Sequence, residues 1–164
     1  GAWSIEAAKR ENVTVTGVDS SEAAVAQAKR NAELNGLSEK CAFVKSDVFD
    51  FIKAETAKKN SYDFISLDPP AFVKSKAKHA EGVRAYRQIN ADAMRLLKRG
   101  GLLATSSCSF HVDRNTFIEA LRDAARDAGR LCRIIETRSQ AKDHPISLGV
   151  PETEYLKCVI MEVG

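Results

Sequence analysis

The sequence has 164 residues, of which 44% are hydrophobic and 29% are charged, which excludes a disordered or collagen-like chain. This length suits one domain with a proper hydrophobic core. The net charge of +3 is too small by itself to indicate nucleic-acid binding. It is also unevenly distributed, because residues 74–87 hold five basic residues and one acidic residue, a net charge of +4.

Two further classes of protein are disfavoured by the composition. No apolar run approaches the roughly 20 residues that a membrane-spanning helix needs, so we expect no membrane partner and a cytoplasmic location. The four cysteines, Cys41, Cys108, Cys132 and Cys158, are far apart and form no Cys-x-x-Cys pair. Because zinc ligands usually occur in such pairs, we expect no metal site and reduced thiols.

Six segments are predicted as β-strands, because each concentrates β-branched or other apolar residues between polar turn residues. They are residues 13–18, 41–45, 62–67, 102–105, 131–137 and 154–162. Helices separate these strands up to the fifth, whereas only a loop around residues 143–153 separates the last two. We also expect Trp3 to pack in the core, as most tryptophans do.

Four helices are predicted from apolar or small residues at helical spacing, bounded by side chains that cap or stop a helix. The predicted N-terminal caps are Ser20 or Ser21, Asp47 and Asp113. The predicted helix stops are Asn35-Gly36, Gly100-Gly101 and Gly129. The inward-facing positions are Val25, Ala28, Ala32, Phe49, Ile52, Tyr86, Ile89, Ala93, Leu96, Leu97, Phe117 and Leu121.

This alternation predicts an α/β fold of the doubly wound, Rossmann-like type. Each right-handed crossover helix must pack back on the sheet, which makes the strands mostly parallel and places helices on both faces. The last two strands lack a crossover helix, so the last strand is predicted to be antiparallel. Ligands of such sheets bind at the carboxyl ends of the strands.

Polar residues stand at four of these strand ends. Asp19 follows the first strand, Asp47 the second, Asp68-Pro69-Pro70 the third and residues 106–109, Ser-Ser-Cys-Ser, the fourth. A carboxylate after the first strand suits the two adjacent hydroxyls of a ribose, which indicates a nucleoside-type ligand. The alternative is that Asp19 and Asp47 only cap helices.

Taken together, these motifs resemble the class I S-adenosylmethionine-dependent methyltransferases, and more closely the bacterial large-subunit rRNA 5-methylcytosine methyltransferases. The resemblance runs over essentially the whole chain. The motifs that carry it are Val18-Asp19-Ser20-Ser21, Asp47, residues 67–76 (Leu-Asp-Pro-Pro-Ala-Phe-Val-Lys-Ser-Lys), Gly100-Gly101-Leu102-Leu103, Ser106-Ser107-Cys108-Ser109 and residues 151–157 (Pro-Glu-Thr-Glu-Tyr-Leu-Lys).

The resemblance also carries an expectation about domain organisation. Members of this family begin the catalytic domain with a strand and a glycine-rich turn, and they carry an RNA-binding domain ahead of it. Gly1-Ala2 resembles the end of that turn. Residues 1–164 are therefore expected to be a single, N-terminally truncated catalytic domain, with the central first strand of its sheet and the RNA-binding domain lying upstream of residue 1.

By resemblance, Cys108 is the nucleophile that adds to carbon 6 of the target cytosine, and Asp68 lies beside the base. S-adenosylmethionine is the implied cofactor and rRNA the implied partner. The implied cofactor contacts are Gly1, Asp19, Ser20, Asp47, Val48 and Asp68, and the implied substrate contacts are Pro69, Pro70, Phe72, Lys74, Lys76 and Lys78. Without the resemblance, Cys108 is as well explained as a buried structural cysteine, Asp68-Pro69-Pro70 as a rigid turn and the lysines as a solvated loop.

Two other functions stay open. Amino-group methyltransferases use an Asn- or Asp-Pro-Pro motif followed at once by an aromatic residue, whereas here Ala71 follows and Phe72 comes one position late. A non-catalytic RNA-binding module of the same fold is the second alternative. A homodimer is compatible with the family.

Overall fold

In a computed structural model of the protein, residues 1–73 and 75–164 are described, residue 76 by its backbone alone. The described residues form two compact units, Gly1–Ala57 and Lys58–Gly164. The prediction that the chain is a single catalytic domain stays a prediction.

The first unit is a two-stranded parallel sheet with three helices. In chain order its elements are α1 (Ala2–Ala8), β1 (Val15–Asp19), α2 (Glu22–Leu34), β2 (Cys41–Lys45) and α3 (Val48–Ala57). Its core is a cluster of small and apolar side chains from α1, α2 and β2, namely Ala8, Val25, Ala28, Ala32, Cys41 and Phe43. Alternation along β2 brings Cys41 and Phe43 to the same face of the sheet, and α2 buries the three positions that its helical spacing predicts.

The second unit contains a four-stranded sheet in the order β3-β4-β6-β5. Its elements are β3 (Tyr62–Leu67), α4 (His79–Leu96), β4 (Leu97–Ser107), α5 (Arg114–Ala128), β5 (Cys132–Arg138) and β6 (Lys157–Val163), with short 3₁₀ turns at Lys76–Lys78 and Pro151–Thr153. β3 and β4 are parallel, and β6 is antiparallel to both β4 and β5. The predicted α/β class and antiparallel last strand are confirmed.

One face of this sheet forms the core of the second unit. Every second residue of β6 is buried, from Lys157 to Val163, and β4 follows the same alternation from Gly101 onward. Helices α4 and α5 pack against each other, and the Tyr86 ring of α4 meets the Phe117 ring of α5 edge-on at 5.5 Å. α5 begins and ends as predicted, with the Asp113 carboxylate accepting a hydrogen bond from the Thr116 amide at 2.7 Å and Gly129 in the left-handed conformation.

Two boundaries in the second unit differ from the sequence-based predictions. Gly100-Gly101 does not close the third predicted helix, which ends at Leu96, because the glycines lie within β4. In the pairing of β3 with β4, Tyr62 lies opposite Leu97 but Phe64 lies opposite Leu102, so β4 contains extra residues that form an irregularity in the strand. Gly100 lies among these extra residues and has a positive φ of 77°, a backbone conformation that glycine adopts readily. Strand β6 begins at Lys157 rather than at residue 154, because its partner β4 ends at Ser107.

Helix α1 was not anticipated, and Trp3 within it is 76% exposed. The expectation that Trp3 packs in the core is wrong, because α1 buries Ile5 and Ala8. These two residues are three positions apart and share one helix face, from which Trp3 is displaced. No helix among the described residues is long and apolar enough to cross a membrane.

Candidate functional site

The second unit brings together the two segments that the family resemblance implies as catalytic. Because β3 and β4 are parallel and Leu67 lies opposite Thr105, their carboxyl ends lie at the same edge of the sheet. Asp68 directly follows β3, and Cys108 directly follows β4. The Sγ atom of Cys108 lies 4.0 Å from the carbonyl oxygen of Pro69. The thiol is half-buried, so it remains accessible beside the Asp-Pro-Pro segment.

Both neighbours of Cys108 are fully buried serines that are fixed by hydrogen bonds. Ser109 Oγ accepts a hydrogen bond from the Val73 amide at 3.1 Å and shares another with the Tyr86 hydroxyl at 2.9 Å. Ser107 Oγ accepts one from the Ser109 amide at 3.4 Å. We call residues 107–109 the cysteine turn. It is tied to the segment after β3 and to α4, so the backbone that carries the thiol is held from two sides.

Sequence reasoning missed the roles of Tyr86 and Ser109. Tyr86 was predicted only as one position in an apolar helical stripe, and its ring does pack as that pattern requires. Its hydroxyl, however, reaches Ser109 from 23 residues away. The available signal was the pair of serines around Cys108, since buried hydroxyls require partners.

A third tie to the cysteine turn comes from Lys157, the last residue of the Pro-Glu-Thr-Glu-Tyr-Leu-Lys motif, to which the sequence assigned no individual role. Lys157 is only 7% exposed, and its Nζ donates hydrogen bonds to the carbonyl oxygens of Ser109 at 2.6 Å and Tyr155 at 2.7 Å. Burial lowers its pKa, and the nearby Cys108 acts in the opposite direction. The alternating burial of β6 places Lys157 on the core face of the strand, and that pattern could have identified it.

The Asp-Pro-Pro segment presents its polar group outward. Asp68 and Pro70 are exposed, whereas Pro69 between them is buried. Among the described residues, no group donates a hydrogen bond to the Asp68 carboxylate, which leaves it available to a ligand. The Phe72 ring instead packs on the Tyr86 ring, with centroids 4.8 Å apart at 58°. Phe72 is therefore engaged inside the protein.

The first unit places its two candidate carboxylates at one edge of its sheet. Asp19 ends β1 opposite Lys45, the last residue of the parallel strand β2, and Asp47 comes two residues later. One oxygen of Asp19 accepts a hydrogen bond from the Ser21 amide at 2.8 Å, and one oxygen of Asp47 accepts one from the Phe49 amide at 2.8 Å. Both side chains are exposed.

Each of these carboxylates thus shapes a local turn with one oxygen. The second oxygen of each has no hydrogen-bond partner among the described residues, so helix capping does not consume either group. Ser21, rather than Ser20, is the N-cap of α2, which leaves the exposed Ser20 beside Asp19 without a capping role. Val48 opens α3, where a backbone amide has no acceptor within the helix.

Gly1 precedes α1 in the same unit, and its environment explains a glycine there. A Cβ atom on Gly1 would lie 2.7 Å from the Cβ atom of Ala28, so any side chain would push α1 away from α2.

The three candidate RNA-binding lysines are only partly described. Lys74 and the side chain of Lys76 lie outside the described residues. Lys78 is exposed, and its Nζ lies 2.8 Å from a carboxylate oxygen of Glu81 one helical turn away. This pairing raises the pKa of Lys78. A phosphate would have to compete with Glu81 for this ammonium.

The thiols and carboxylates of the described residues form no cluster suited to a metal ion. All four cysteines are free thiols. Burial raises the pKa of Cys41 and Cys132, so neither thiol is activated by its surroundings.

Comparison with known proteins gives a consistent result. A profile described as "Methyltransferase domain" matches residues 1–147. The chain is 44% identical over 151 residues to ribosomal RNA large subunit methyltransferase I of Pseudoalteromonas atlantica, covering 92% of the chain and 38% of that protein. It is 42% identical over 162 residues to the protein of the same name in Aeromonas salmonicida, covering 98% of the chain and 41% of the relative. The chain thus spans about two fifths of these curated relatives.

Solved structures show the same fold at lower sequence identity. The crystal structure of a protein described as "a putative methyltransferase complexed with SAH" superposes with a TM-score of 0.84 at 22% identity, covering 99% of this chain and 42% of that one.

Proposed function

Because the chain belongs to the methyltransferase domain family, we propose that it is the catalytic part of an S-adenosylmethionine-dependent methyltransferase that forms 5-methylcytosine in large-subunit rRNA. The names of its relatives support the rRNA substrate. One observation carries the cytosine-specific chemistry: the accessible Cys108 thiol is held on a rigid turn, with its Sγ atom 4.0 Å from the Pro69 carbonyl oxygen.

The proposed reaction needs a nucleophile because carbon 5 of cytosine is too electron-poor to attack a methyl donor. The Cys108 thiolate adds to carbon 6, forming a carbon–sulfur bond and giving carbon 5 the character of an enamine. S-adenosylmethionine would supply an electrophilic methyl group, and its methyl–sulfur bond would break as the bond to carbon 5 forms, releasing S-adenosylhomocysteine. A base then removes the proton from carbon 5, and the carbon–sulfur bond breaks to return the thiolate.

Asp68 is the second catalytic group in this proposal. Its exposed carboxylate, which has no donor among the described residues, accepts a hydrogen bond from the exocyclic amino group of the cytosine and so holds the base beside the Cys108 thiolate. Pro69 and Pro70 fix the backbone that presents it, and all three residues form part of the substrate contact. The packing of Phe72 on Tyr86 favours this mechanism over amino-group methylation, which would need an aromatic ring on the target base.

For the cofactor, the first unit offers groups that fit a nucleoside. The unpaired oxygen of Asp19 suits the ribose hydroxyls, and that of Asp47 suits the adenine amino group, while the Val48 amide can donate to a ring nitrogen. Gly1 and Ser20 complete the set of cofactor contacts proposed for this unit.

Covalent trapping tests the proposed reaction. The full chain is incubated with labelled S-adenosylmethionine and RNA containing 5-fluorocytosine, whose fluorine cannot leave carbon 5 as a proton does. We expect a labelled covalent complex that disappears in Cys108→Ala and persists in Cys158→Ala, a control thiol of similar exposure. Methyl transfer to RNA without trapping would instead support amino-group methylation, and absence of transfer would support a non-catalytic RNA-binding module.

Titration calorimetry tests the cofactor contacts separately. Asp19→Ala is expected to weaken SAH binding by about 10-fold or more, because a hydrogen bond to a charged group contributes about 1.5–3 kcal/mol. Asp50→Ala, which removes another exposed carboxylate of the same unit, is the matched control. Equal affinities of the two variants would contradict the assignment of Asp19.

The lysines after the Asp-Pro-Pro segment are proposed to contact RNA phosphates. Each such contact adds about 0.7 to the slope of log K against log salt for a single strand. Neutralising Lys74, Lys76 and Lys78 together to glutamine is therefore expected to flatten that slope by about 2. An unchanged slope would remove the lysines from the RNA site.

A further inference from the structure

Lys157 occupies a buried position, where an ammonium group costs free energy. The rest of the core face of β6 is apolar, with Val159, Met161 and Val163 all at most 2% exposed. Lysine is almost never fully buried unless it is paired, and among the described residues no carboxylate forms a salt bridge with Lys157. A methionine would fill the same space without the cost of burying an ammonium group.

The contacts of Lys157 all lead to the cysteine turn and its surroundings. Its two short hydrogen bonds go to backbone carbonyl oxygens, at 2.6 Å to Ser109 and 2.7 Å to Tyr155. Ser109 is the residue that follows Cys108, and its side chain is already fixed by Val73 and Tyr86. The ammonium therefore completes the immobilisation of this turn from the side of β6.

Charged and ionisable groups near Lys157 act on its pKa in both directions. Cys108 and Asp113 raise this pKa, whereas Arg114 lowers it. Asp113 is exposed and already accepts the capping hydrogen bond of Thr116. The titratable groups on the neighbouring segments are Asp68 after β3, Cys108 and His111 after β4, and Asp113 and Arg114 at the start of α5.

We propose that Lys157 is a positioning residue for the Cys108 nucleophile: it fixes the carbonyl group that follows the cysteine, and its positive charge favours the thiolate. This inference rests on the proposed function, which makes Cys108 the nucleophile. The thiol proton passes to solvent, and the ammonium keeps its three protons and its hydrogen bonds to the turn. A buried cation is more effective than an exposed one because water and salt screen it less.

The rate of cysteine alkylation measures the thiolate directly and needs neither RNA nor cofactor. The full chain is treated with iodoacetamide between about pH 6 and pH 10, and the modification of each cysteine is followed by peptide mass spectrometry. Cys158, which is half-buried like Cys108, is followed in the same digests as the internal reference for each variant.

Substitutions then separate the charge of Lys157 from its structural role. In Lys157→Met, alkylation of Cys108 near neutral pH is expected to slow about tenfold, with its midpoint moved up by about one pH unit. Lys157→Arg keeps the charge and is expected to restore most of the rate. Lys98→Met is the matched control, because it removes an exposed ammonium from the opposite end of β4.

The outcomes distinguish this inference from the proposed function. If the Cys108 midpoint is the same in Lys157→Met and in the unmutated protein, the proposal is wrong, even where covalent trapping on RNA succeeds. If the midpoint moves as expected but trapping fails, the charge effect stands and the proposed methylation is wrong. Should Lys157→Met fail to fold, Lys157→Gln removes the charge while keeping a hydrogen-bond donor, and an unchanged alkylation profile of Cys108 in that variant would equally overturn the proposal.

Discussion

The hydrogen bond between the hydroxyls of Tyr86 and Ser109, 2.9 Å long and fully buried, provides a quantitative test of how the cysteine turn is held. Tyr86→Phe removes this bond and leaves the aromatic packing unchanged. We expect a loss of about 1 kcal/mol in the free energy of unfolding, the usual net value of a buried neutral hydrogen bond. The Ser109 hydroxyl keeps its second bond, accepted from the Val73 amide at 3.1 Å.

Ser109→Ala is expected to be more costly because it leaves two buried groups without partners. The Val73 amide loses its acceptor, and the Tyr86 hydroxyl loses its hydrogen-bond partner. Each loss lowers the free energy of unfolding by about 1–2 kcal/mol, which gives a total of about 2–4 kcal/mol. In the double variant the Tyr86 hydroxyl is also gone. The two losses should therefore be non-additive, with a coupling energy of about 1 kcal/mol.

Urea unfolding followed by far-UV circular dichroism measures these energies. Tryptophan fluorescence is unsuitable, because the single tryptophan, Trp3, lies in the first unit. Tyr155→Phe is the control, since the Tyr155 hydroxyl has no hydrogen-bond partner among the described residues, and its effect should stay within about 0.5 kcal/mol. If Tyr86→Phe matches this control, or if the two losses simply add, then the hydroxyl pair does not hold the cysteine turn.

Two further predictions concern the supports of the site. Gly82→Ala in α4 should lower the free energy of unfolding by about 1–3 kcal/mol despite the better helix propensity of alanine, because its Cβ would clash with Val73 and lie 2.8 Å from the Phe72 carbonyl oxygen; a stabilised variant in urea unfolding would contradict this packing. Asp113→Ala should cost about 1 kcal/mol at neutral pH through loss of the α5 cap. Because the Thr116 amide lowers the pKa of Asp113 from 3.8, this contribution is present above that pH and is lost as pH falls through the folded value. Thermal melts of the unmutated protein and the variant should therefore converge in acid, and a constant difference would exclude the carboxylate as its origin.

Much of the fold follows from short stretches of sequence. The bounds of β2 and β3 coincide with the predicted segments, and α5 lies between its predicted cap Asp113 and stop Gly129. These features are local, since a β-branched run, a capping carboxylate or a left-handed glycine acts on residues within one turn of itself. The antiparallel direction of β6 was also predictable, because its connection from β5 contains no crossover helix.

The sequence also predicted that the candidate residues follow the carboxyl ends of strands, and the structure places Asp19 and Asp47 there in the first unit and Asp68 and Cys108 there in the second. Their proposed roles in binding and catalysis stay predictions. The sequence predicts the wrong end for α4 because a Gly-Gly pair is typical of a helix stop. Only the pairing of β3 with β4 shows that Gly100 and Gly101 lie at an irregularity within a strand.

The sequence can place Tyr86 and Lys157 on buried faces, but it cannot show that both of them contact the turn that carries Cys108. Tyr86 and Lys157 contact Ser109 from 23 and 48 residues away, and nothing in their own neighbourhoods indicates a partner. Tyr86 fits an apolar helical stripe, and Lys157 resembles a polar residue at the start of a strand. Tertiary packing alone brings their polar atoms to one buried turn, where a hydroxyl or an ammonium must find a partner because water is excluded.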